Sequence, residues 1–268
     1  NLRIVFLLYN SFFQLWNYPQ IRESLSQDSY VMSRIMDSPL ITIEDISYYY
    51  SNRLGYFRKK RFLVLHNVSF EVYPGETLGI IGRNGAGKTT LLKLIAGIFE
   101  PDSGKIISNG LRVSMLSLQA GFLPLLSGRE NTYLSGMMLG MTMKEIKEKI
   151  DSIKSFSGLQ DWFEEPIRSY SMGMRSRLGF SIGLQLDTDI LLIDEVMGVG
   201  DGEFRAKSTA RMKEKVKSNN TVVLVSHAMH IIRELCDRVL WIENGTVNSL
   251  GKPSEVLSTY QKYLQSIS

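Results

Sequence analysis

Residues 78–98 read LGIIGRNGAGKTTLLKLIAGI, and this stretch decides the fold. Its centre, residues 82–89, fits the pattern G-x-x-x-x-G-K-[ST], in which backbone N–H groups converge on phosphate oxygens. A short apolar run over residues 78–81 precedes the loop, and a helix is predicted over residues 89–98. A strand, a glycine-rich loop and a helix in this order begin a parallel α/β unit. The stretch therefore predicts a phosphate-binding loop within an α/β fold.

The side chains of this loop suit phosphate chemistry. Lys88 is expected to reach the β- and γ-phosphates of a nucleotide, and the Thr89 hydroxyl is expected to bind Mg²⁺. Backbone N–H groups and the N-terminus of the following helix would surround the phosphates. The predicted phosphate-binding residues are Asn84, Gly85, Ala86, Gly87, Lys88, Thr89 and Thr90. The alternative is a glycine-rich turn that fits the pattern by chance, which the flanking strand and helix disfavour.

A second predicted strand ends in two acidic residues. Residues 190–193 are a continuous apolar run, and Asp194 and Glu195 follow it directly. Open α/β sheets bind ligands at the carboxyl ends of their strands, so Asp194 is placed to hold Mg²⁺. Adjacent side chains point in different directions, and Glu195 is predicted to accept a proton from an attacking water. A solvated acidic strand end is the alternative, and the phosphate loop upstream argues against it.

The composition is typical of a globular protein with one or two domains. The 268 residues are 44% hydrophobic and 22% charged, with a formal net charge of +4, which argues against a disordered or fibrous chain. Cys236 is the only cysteine, so an intrachain disulfide is excluded. No apolar run approaches the ~20 residues that span a bilayer. We therefore expect any membrane role to depend on a partner chain or on surface contact.

The chain divides into three predicted segments. Residues 1–37 form an extension of uncertain role. It is either an amphipathic segment that contacts a membrane or partner, or a non-essential stretch before a later start at Met32 or Met36. Residues 38–250 form the main domain, and residues 251–268 form a closing helix.

Two stretches of the main domain depart from the parallel α/β pattern. Strands are predicted near residues 40–50 and 62–72, joined by a basic loop over residues 51–61. A capping box at residues 142–145, followed by isoleucines on one helical face, predicts a helical insert over residues 121–168. Further strands are predicted at residues 222–225, 239–242 and 246–247.

Several short motifs occur in a characteristic order. They are the phosphate loop, Leu118-Gln119, residues 170–174 (YSMGM), Asp194-Glu195, Gly200-Asp201 and Ser226-His227. In this order they resemble the nucleotide-binding subunit of an ATP-binding cassette (ABC) transporter. Residues 170–174 depart from the usual L-S-G-G-Q, and Met174 stands where that pattern has glutamine. Together with residues 170–174, residues 119–122, 127–131 and 195–201 resemble the branch that exports O-antigen, capsule and teichoic acid.

The resemblance implies a fold, two cofactors and a catalytic set. The implied fold is α/β, a P-loop NTPase core with a mixed sheet, an antiparallel β subdomain and a helical insert subdomain. The implied cofactors are ATP and Mg²⁺. The implied metal ligands are Thr89, Gln119 and Asp194. The implied catalytic residues are Lys88, Gln119, Glu195 and His227, of which His227 would contact the γ-phosphate.

The resemblance also implies contacts at both ends of the nucleotide. One tyrosine of residues 48–50 would stack on adenine, and Tyr50 is preferred, although ordinary strand residues are the alternative. Ser171 and Gly173 would cap the γ-phosphate of ATP held by the other subunit, with Asp201 at the dimer seam. The implied assembly is a homodimer bound to a polytopic membrane permease, in two copies, on the cytoplasmic face of the inner or plasma membrane. The permease would handle most of the contact with a lipid-linked polysaccharide.

Two other functions stay open from the sequence. One is an ABC ATPase that acts on DNA or ribosomes, and the other is a nucleotide-gated interaction module that does not hydrolyse ATP. A single phosphate loop and the absence of sustained heptads disfavour the first, and Lys88, Glu195 and His227 disfavour the second. We therefore predict an ATP-hydrolysing export subunit without a nucleic-acid partner.

Overall fold

The computed structural model describes residues 38–53, 59–108, 110–118, 121–195, 198–218 and 221–267. The strands are β1 (Ile41–Arg53), β2 (Lys59–Val72), β3 (Thr77–Ile81), β4 (Ser103–Ile107), β5 (Val113–Leu116), β6 (Ile190–Asp194), β7 (Thr221–Val225), β8 (Arg238–Glu243) and β9 (Thr246–Gly251). The helices are α1 (Lys88–Ile95), α2 (Gly128–Met138), α3 (Met143–Ser157), α4 (Met172–Leu184), α5 (Gly202–Lys217), α6 (Met229–Leu235) and α7 (Pro253–Ser266). The predicted extension over residues 1–37 and the predicted ligand Gln119 lie outside the described residues.

A six-stranded sheet in the order β5-β6-β7-β3-β8-β9 lies at the centre of the protein. The first five strands in this order (β5, β6, β7, β3 and β8) run parallel to one another, whereas β9 pairs antiparallel with β8. The expected mixed sheet is therefore confirmed. Alternate residues of β6 enter two different cores. Ile190 and Leu192 pack on one face, and Leu191 and Ile193 pack on the other. Burial on both faces explains why this strand is apolar throughout instead of alternating.

One face of the central sheet is covered by α1 and by an antiparallel sheet in the order β2-β1-β4. The predicted basic loop over residues 51–61 was too long, because β1 and β2 stay paired as far as Arg53 and Lys59. Exposed charged side chains such as those of Lys60 and Arg61 leave the backbone pairing intact, so a basic sequence did not mark the end of either strand. Strand β1 is a single continuous strand. Its pairing with β2 shifts in register near Asp45, which has a φ of 48°.

The helical insert consists of α2 and α3 with 3-10 turns at Gln160–Glu164 and Ile167–Ser169. The predicted capping box is confirmed, because Thr142 Oγ1 accepts from the Glu145 N–H and Glu145 Oε2 accepts from the Thr142 N–H. The insert has a hydrophobic core of its own, shared with α4. Its members include Ile150, Ile153, Leu159, Phe163, Ile167, Leu178 and Ile182.

Helix α4 connects the insert to the central sheet. Leu178 and Ile182 pack in the insert core, whereas Phe180 packs in the core between the sheet and α5. A Cβ atom at Gly179 would lie 1.6 Å from the Leu118 carbonyl oxygen, so α4 also contacts the backbone that follows β5. The same helix therefore belongs to two packed regions.

The first and last helices lie close to their predicted positions. Helix α1 ends at Ile95 and not at residue 98, because Gly97 adopts a φ of 68° and turns the chain out of the helix. Helix α7 spans Pro253–Ser266, within the predicted closing segment 251–268, and packs Leu257 against the sheet. In the described ranges of the chain, no helix combines the length and the apolar character needed to cross a membrane.

Candidate active site

The phosphate loop follows the end of β3 and leads into α1. Gly82 has a φ of 152°, and a Cβ atom there would lie 2.0 Å from the Ile242 carbonyl oxygen. Gly87 has a φ of 102°, and a Cβ atom there would lie 2.7 Å from Leu65 Cδ2. Both positions need glycine, because positive φ and close packing each disfavour a side chain. Strands β8 and β2 thus support the two ends of the loop.

Lys88 lies inside the loop, with its ammonium bonded to the loop backbone. Its Nζ donates to the carbonyl oxygens of Gly82 and Arg83, at 2.9 Å each. Burial lowers the pKa of Lys88, and the nearby carboxylates of Glu195 and Asp194 partly oppose that effect. An ammonium has three N–H donors, so one donor remains for a phosphate oxygen.

A cavity of about 340 Å³ opens in front of the phosphate loop. It is lined by Tyr50, Val64, Asn84, Gly85, Gly87, Lys88, Thr89, Thr90 and Glu195. Its volume falls within the range of small-molecule sites. Because Lys88 begins α1, the positive end of the helix dipole lies at this cavity. Of the predicted loop residues, Ala86 alone is absent from the lining, and it is buried.

Asp194 ends β6 beside this cavity, and Glu195 follows it in a different environment. Asp194 Oδ1 is buried and has no hydrogen-bond partner among the described residues. Glu195 has a φ of 61° and its N–H donates to the Val225 carbonyl at 3.0 Å, which turns its side chain out toward the cavity. His227 follows β7, and its Nε2 lies 2.8 Å from Glu195 Oε1. The sheet therefore brings the two predicted catalytic residues Glu195 and His227 into contact.

The residues present fit a magnesium ion held jointly with a nucleotide. A buried carboxylate oxygen without a partner is costly, and a cation would satisfy Asp194 Oδ1. Thr89 supplies a hydroxyl on the cavity wall. Among the described residues, no group of three or more His, Cys, Asp and Glu side chains could hold a metal by itself. Mg²⁺ usually takes one or two protein ligands together with substrate phosphates, which is the donor set available here.

The three tyrosines of residues 48–50 occupy different environments, and Tyr50 is the one that lines the cavity. The Tyr48 ring stacks on Phe99 with centroids 5.4 Å apart. The Tyr49 ring lies 5.6 Å from the guanidinium of Arg61. The Tyr50 hydroxyl is 3.4 Å from Thr90 Oγ1, and Tyr50 as a whole is 40% exposed. Its position agrees with the predicted choice of Tyr50, whose contact with adenine stays a prediction.

Ser171 and Gly173 lie at the exposed start of α4 and do not line the cavity. Ser171 Oγ accepts from the Met174 N–H at 3.1 Å, which makes Ser171 the N-cap of this helix. The first turn contains no acidic residue, and the first N–H groups of a helix have no carbonyl partner within it. This helix end is therefore free to contact an anion from outside the chain.

Two residues just before α5, Val199 and Asp201, are held by side-chain contacts with neighbouring helices. Asp201, expected at a dimer seam, contacts Arg177 of α4, whose guanidinium also lies 5.1 Å from the Phe204 ring centroid. On the other side, Ser208 Oγ accepts from the Val199 N–H at 3.1 Å. The position of Asp201 is thus set by contacts with α4 and α5.

Sequence reasoning missed three residues that surround the site: Val64 in the cavity wall, Arg177 beside Asp201, and Glu243 beside the phosphate loop. Glu243 Oε1 accepts from Arg83 Nε at 2.6 Å. One signal could have identified Glu243, because it is an acidic residue directly after an apolar strand run, the same pattern that identified Asp194. Val64 and Arg177 have no comparable signal.

The family profile described as ABC transporter matches residues 65–198, which is half of the chain. The chain belongs to the ABC transporter family. The matched range includes the phosphate loop and β6, which meet at the cavity, and helix α4 with its exposed N-terminus. The protein is thus a nucleotide-binding ATPase of the ABC family.

Relatives of this ABC chain include ATP-binding proteins of export systems. It is 40% identical over 220 residues to the O-antigen export system ATP-binding protein RfbB of Klebsiella pneumoniae, with 82% of this chain and 89% of RfbB covered. It is 45% identical over 207 residues to the teichoic acids export ATP-binding protein TagH of Lactococcus lactis, with 77% of this chain and 44% of TagH covered. The chain therefore spans most of RfbB and less than half of TagH.

Solved structures share the fold of this ABC chain. One is the dimeric post-hydrolysis state of the ATP-binding cassette MJ0796 bound to ADP and Pi. It has a TM-score of 0.63 and 21% sequence identity, with 80% of this chain and 98% of that chain covered. At this identity the similarity shows the fold alone, and it confirms the expected P-loop NTPase architecture.

Proposed function

We propose that this ABC subunit binds ATP with Mg²⁺ and hydrolyses it to power export of a lipid-linked polysaccharide through a separate polytopic permease. The observation that carries the ATPase part is the cavity in which the phosphate loop, Thr89 and Glu195 meet. The substrate class, which is of the O-antigen, capsule or teichoic acid type, is supported by the names of the relatives RfbB and TagH.

The chain's own residues bind and orient the nucleotide. The free donor of Lys88 and the N–H groups of the loop bind the β- and γ-phosphates, and Tyr50 stacks on adenine. Thr89 and Asp194 would hold Mg²⁺, with Gln119 as a further ligand. The bound ion would neutralise charge that develops on the phosphates.

Hydrolysis follows from the position of Glu195 at the cavity. A water oxygen forms a bond to the γ-phosphorus while the bond from that phosphorus to the β,γ-bridging oxygen breaks, which releases ADP and phosphate. The Glu195 carboxylate accepts the proton that the water loses. The His227 Nε2 group lies 2.8 Å from Glu195 Oε1, where it would orient that carboxylate, and it would also contact the γ-phosphate.

We propose a homodimer in which each chain completes the other's site. Ser171 accepts a hydrogen bond from the Met174 N–H, so its own proton is free to donate to a phosphate oxygen. Neither Ser171 nor Gly173 lines the cavity of its own chain, which supports their action on ATP bound by a second copy. The helix end and hydroxyl would stabilise γ-phosphate charge in the closed dimer.

The insert over residues 121–168 is proposed as the surface that contacts the permease. Exposed apolar side chains are concentrated there, as expected for a surface that binds another protein. They are Leu123, Leu125, Met137, Met138, Met143 and Trp162. Two copies of the permease would place the ATPase dimer on the cytoplasmic face of the membrane.

One purification tests the two parts of this proposal together. Tagged wild-type chain and its Glu195→Gln variant are extracted from membranes in mild detergent, and phosphate release and bound partners are measured. Both should carry the same polytopic membrane protein, and the variant should bind ATP but release phosphate about 10²–10⁴-fold more slowly, because it lacks the general base. The matched control is Glu214→Gln, which changes an exposed acidic residue of α5 outside the cavity. Near-normal hydrolysis by the Glu195 variant, or copurified nucleic acid in place of a membrane protein, would contradict the proposal.

A further inference from the structure

Arg83, the second residue of the phosphate loop, contacts strand β8 and helix α7. Its Nε donates to Glu243 Oε1 at 2.6 Å, and its guanidinium carbon lies 5.8 Å from the Tyr263 ring centroid. The preceding residue, Gly82, packs against the Ile242 carbonyl oxygen. Two consecutive residues of the loop therefore contact two consecutive residues at the end of β8.

Glu243 is a buried carboxylate with incomplete hydrogen bonding. Its side chain is 5% exposed, whereas that of Arg83 is 44% exposed. Its second oxygen, Oε2, is buried and has no hydrogen-bond partner among the described residues. Burial of a charge is costly even when it is paired, and an apolar residue of similar size is often as stable. Stability alone therefore does not account for an acidic residue at this place.

The turn after β8 supports the other end of the loop. The Gly245 carbonyl accepts from the His66 N–H at 2.8 Å, and a Cβ atom at Gly245 would lie 2.4 Å from the Val64 carbonyl oxygen. The next residue of β2, Leu65, is the one that packs against Gly87. The end of β8 thus contacts the start of the phosphate loop directly and its end through β2.

We infer that Glu243 is a positioning residue for the nucleotide site. It holds Arg83, and through Arg83 it keeps the backbone N–H groups of the phosphate loop in the arrangement that binds phosphate. Glu243 does not line the cavity, so it acts through Arg83 and not by contact with the nucleotide. The inference rests on the proposed function, because it concerns the same site.

The direction in which Glu243→Gln changes phosphate binding distinguishes a positioning role from a purely electrostatic one. The charge of Glu243 acts on Lys88, where it opposes the lowered pKa, so a negative charge stands near the phosphate site. If Glu243 acted by charge alone, Glu243→Gln would remove that negative charge and strengthen phosphate binding. If Glu243 positions the loop, the same variant weakens binding, because Arg83 loses its charged partner.

The test is calorimetric titration of MgADP into wild type, Glu243→Gln and Glu76→Gln. MgADP probes the phosphate loop without hydrolysis. Glu76 is a matched control, because it is also a buried carboxylate paired with an arginine, Arg238, at the opposite end of β3. Glu243→Gln should weaken MgADP binding about 3- to 10-fold, as expected for coupled neighbouring groups, and Glu76→Gln should leave the affinity unchanged. With ATP, the KM of Glu243→Gln should rise while kcat is retained.

Each outcome supports or overturns the inference. Affinity in Glu243→Gln that equals or exceeds that of wild type overturns the positioning role, and so does an equal loss in Glu76→Gln. Thermal unfolding of each variant establishes that it is folded. If Glu243→Gln does not fold, Arg83→Gln replaces it, and wild-type affinity in that exposed variant also overturns the inference. A wild-type chain that binds no MgADP would instead overturn the proposed function, and the inference with it.

Discussion

Lys88 stabilises the phosphate loop before any nucleotide is bound, because its ammonium bonds to two carbonyl groups of the same loop. A nearly buried cation is costly unless it is well bonded, and the lowered pKa of Lys88 has that burial as its main cause. A phosphate beside the ammonium would add negative charge and raise that pKa again. Lys88 therefore supports the loop structurally, and in the proposed function it would also be a ligand for phosphate.

We expect Lys88→Ala to weaken MgATP binding at least about 10-fold, because hydrogen bonds to charged groups are among the strongest in proteins. Calorimetry on the purified chain measures this affinity. The matched control is Lys93→Ala, which removes an ammonium from the same helix, α1, where Lys93 lies near the Phe99 ring and outside the cavity. Equal affinities for the Lys88 variant and wild type would remove the phosphate-binding role.

At the residue scale, local patterns identified most of the cavity. The glycine pattern and the acidic strand end predicted the loop residues and Glu195, because each depends on neighbours in sequence. Glu243 could not be paired with Arg83 in this way, since the two residues are 160 positions apart and meet only when β8 lies beside β3. Sequence reasoning preferred Tyr50 but could not derive its direction, because the directions of Tyr48, Tyr49 and Tyr50 depend on irregular pairing in β1.

At the scale of elements, one acidic residue connects the parts of the helical insert. Glu164, in the 3-10 turn after α3, accepts hydrogen bonds from Arg129 of α2 at 2.8 and 2.9 Å. Lys154 of α3 donates to the same carboxylate at 3.3 Å. These partners, Arg129 above all, lower the pKa of Glu164 from 4.5 to about 2. The ionised carboxylate thus joins both helices of the insert.

We expect Glu164→Gln to reduce stability at pH 6 and to differ less from wild type at pH 3.5. A carboxylate whose pKa is lowered by folding stabilises the folded state above its unfolded pKa of 4.5, and the effect is lost as the pH falls toward 2. Solvent screening keeps the size of the effect small, because Glu164 is exposed. Urea unfolding at the two pH values measures it. The control is the neighbouring Glu165→Gln, which keeps both ion pairs of Glu164. A stability difference between wild type and Glu164→Gln that grows at low pH would contradict this account.

Helices with a regular apolar pattern could be predicted from the sequence, whereas a helix whose buried stripe contains a polar residue could not. The capping box and the isoleucine stripe identified α3 because both signals are local. Helix α5 escaped prediction, although its buried residues Phe204, Ser208, Met212 and Val216 recur every four positions. Ser208 interrupts the apolar stripe, and it is buried because its hydroxyl bonds to the Val199 backbone, a contact that exists only in the folded chain.

At the scale of the whole molecule, the two regions that we propose to bind phosphate do not meet within one chain. The cavity contains the loop, Thr89 and Glu195, whereas Ser171 and Gly173 lie outside the cavity at the start of α4. A head-to-tail pair of chains would bring the two surfaces together twice. Such closed pairing is the commonest form of oligomer symmetry.

Mixing two inactive variants tests this arrangement. Lys88→Ala lacks the phosphate ligand of the cavity, and Ser171→Arg blocks the start of α4. Each variant alone should be nearly inactive, but an equal mixture should recover up to about a quarter of wild-type phosphate release, because half of the dimers are mixed and each has one intact site. Each variant alone at doubled concentration is the control. No recovery, together with a specific rate that does not depend on protein concentration, would contradict a shared site.

Helix α4 has side chains in two separate hydrophobic cores, and this has a mechanical consequence. Leu178 and Ile182 anchor it to the insert, while Phe180 anchors it toward the sheet, within a span of five residues. Because these anchoring residues are so close together, α4 cannot shift relative to the insert without also straining its contacts beside the sheet. If a partner moved the insert, α4 is the element that would carry that movement to Ser171 at its N-terminus.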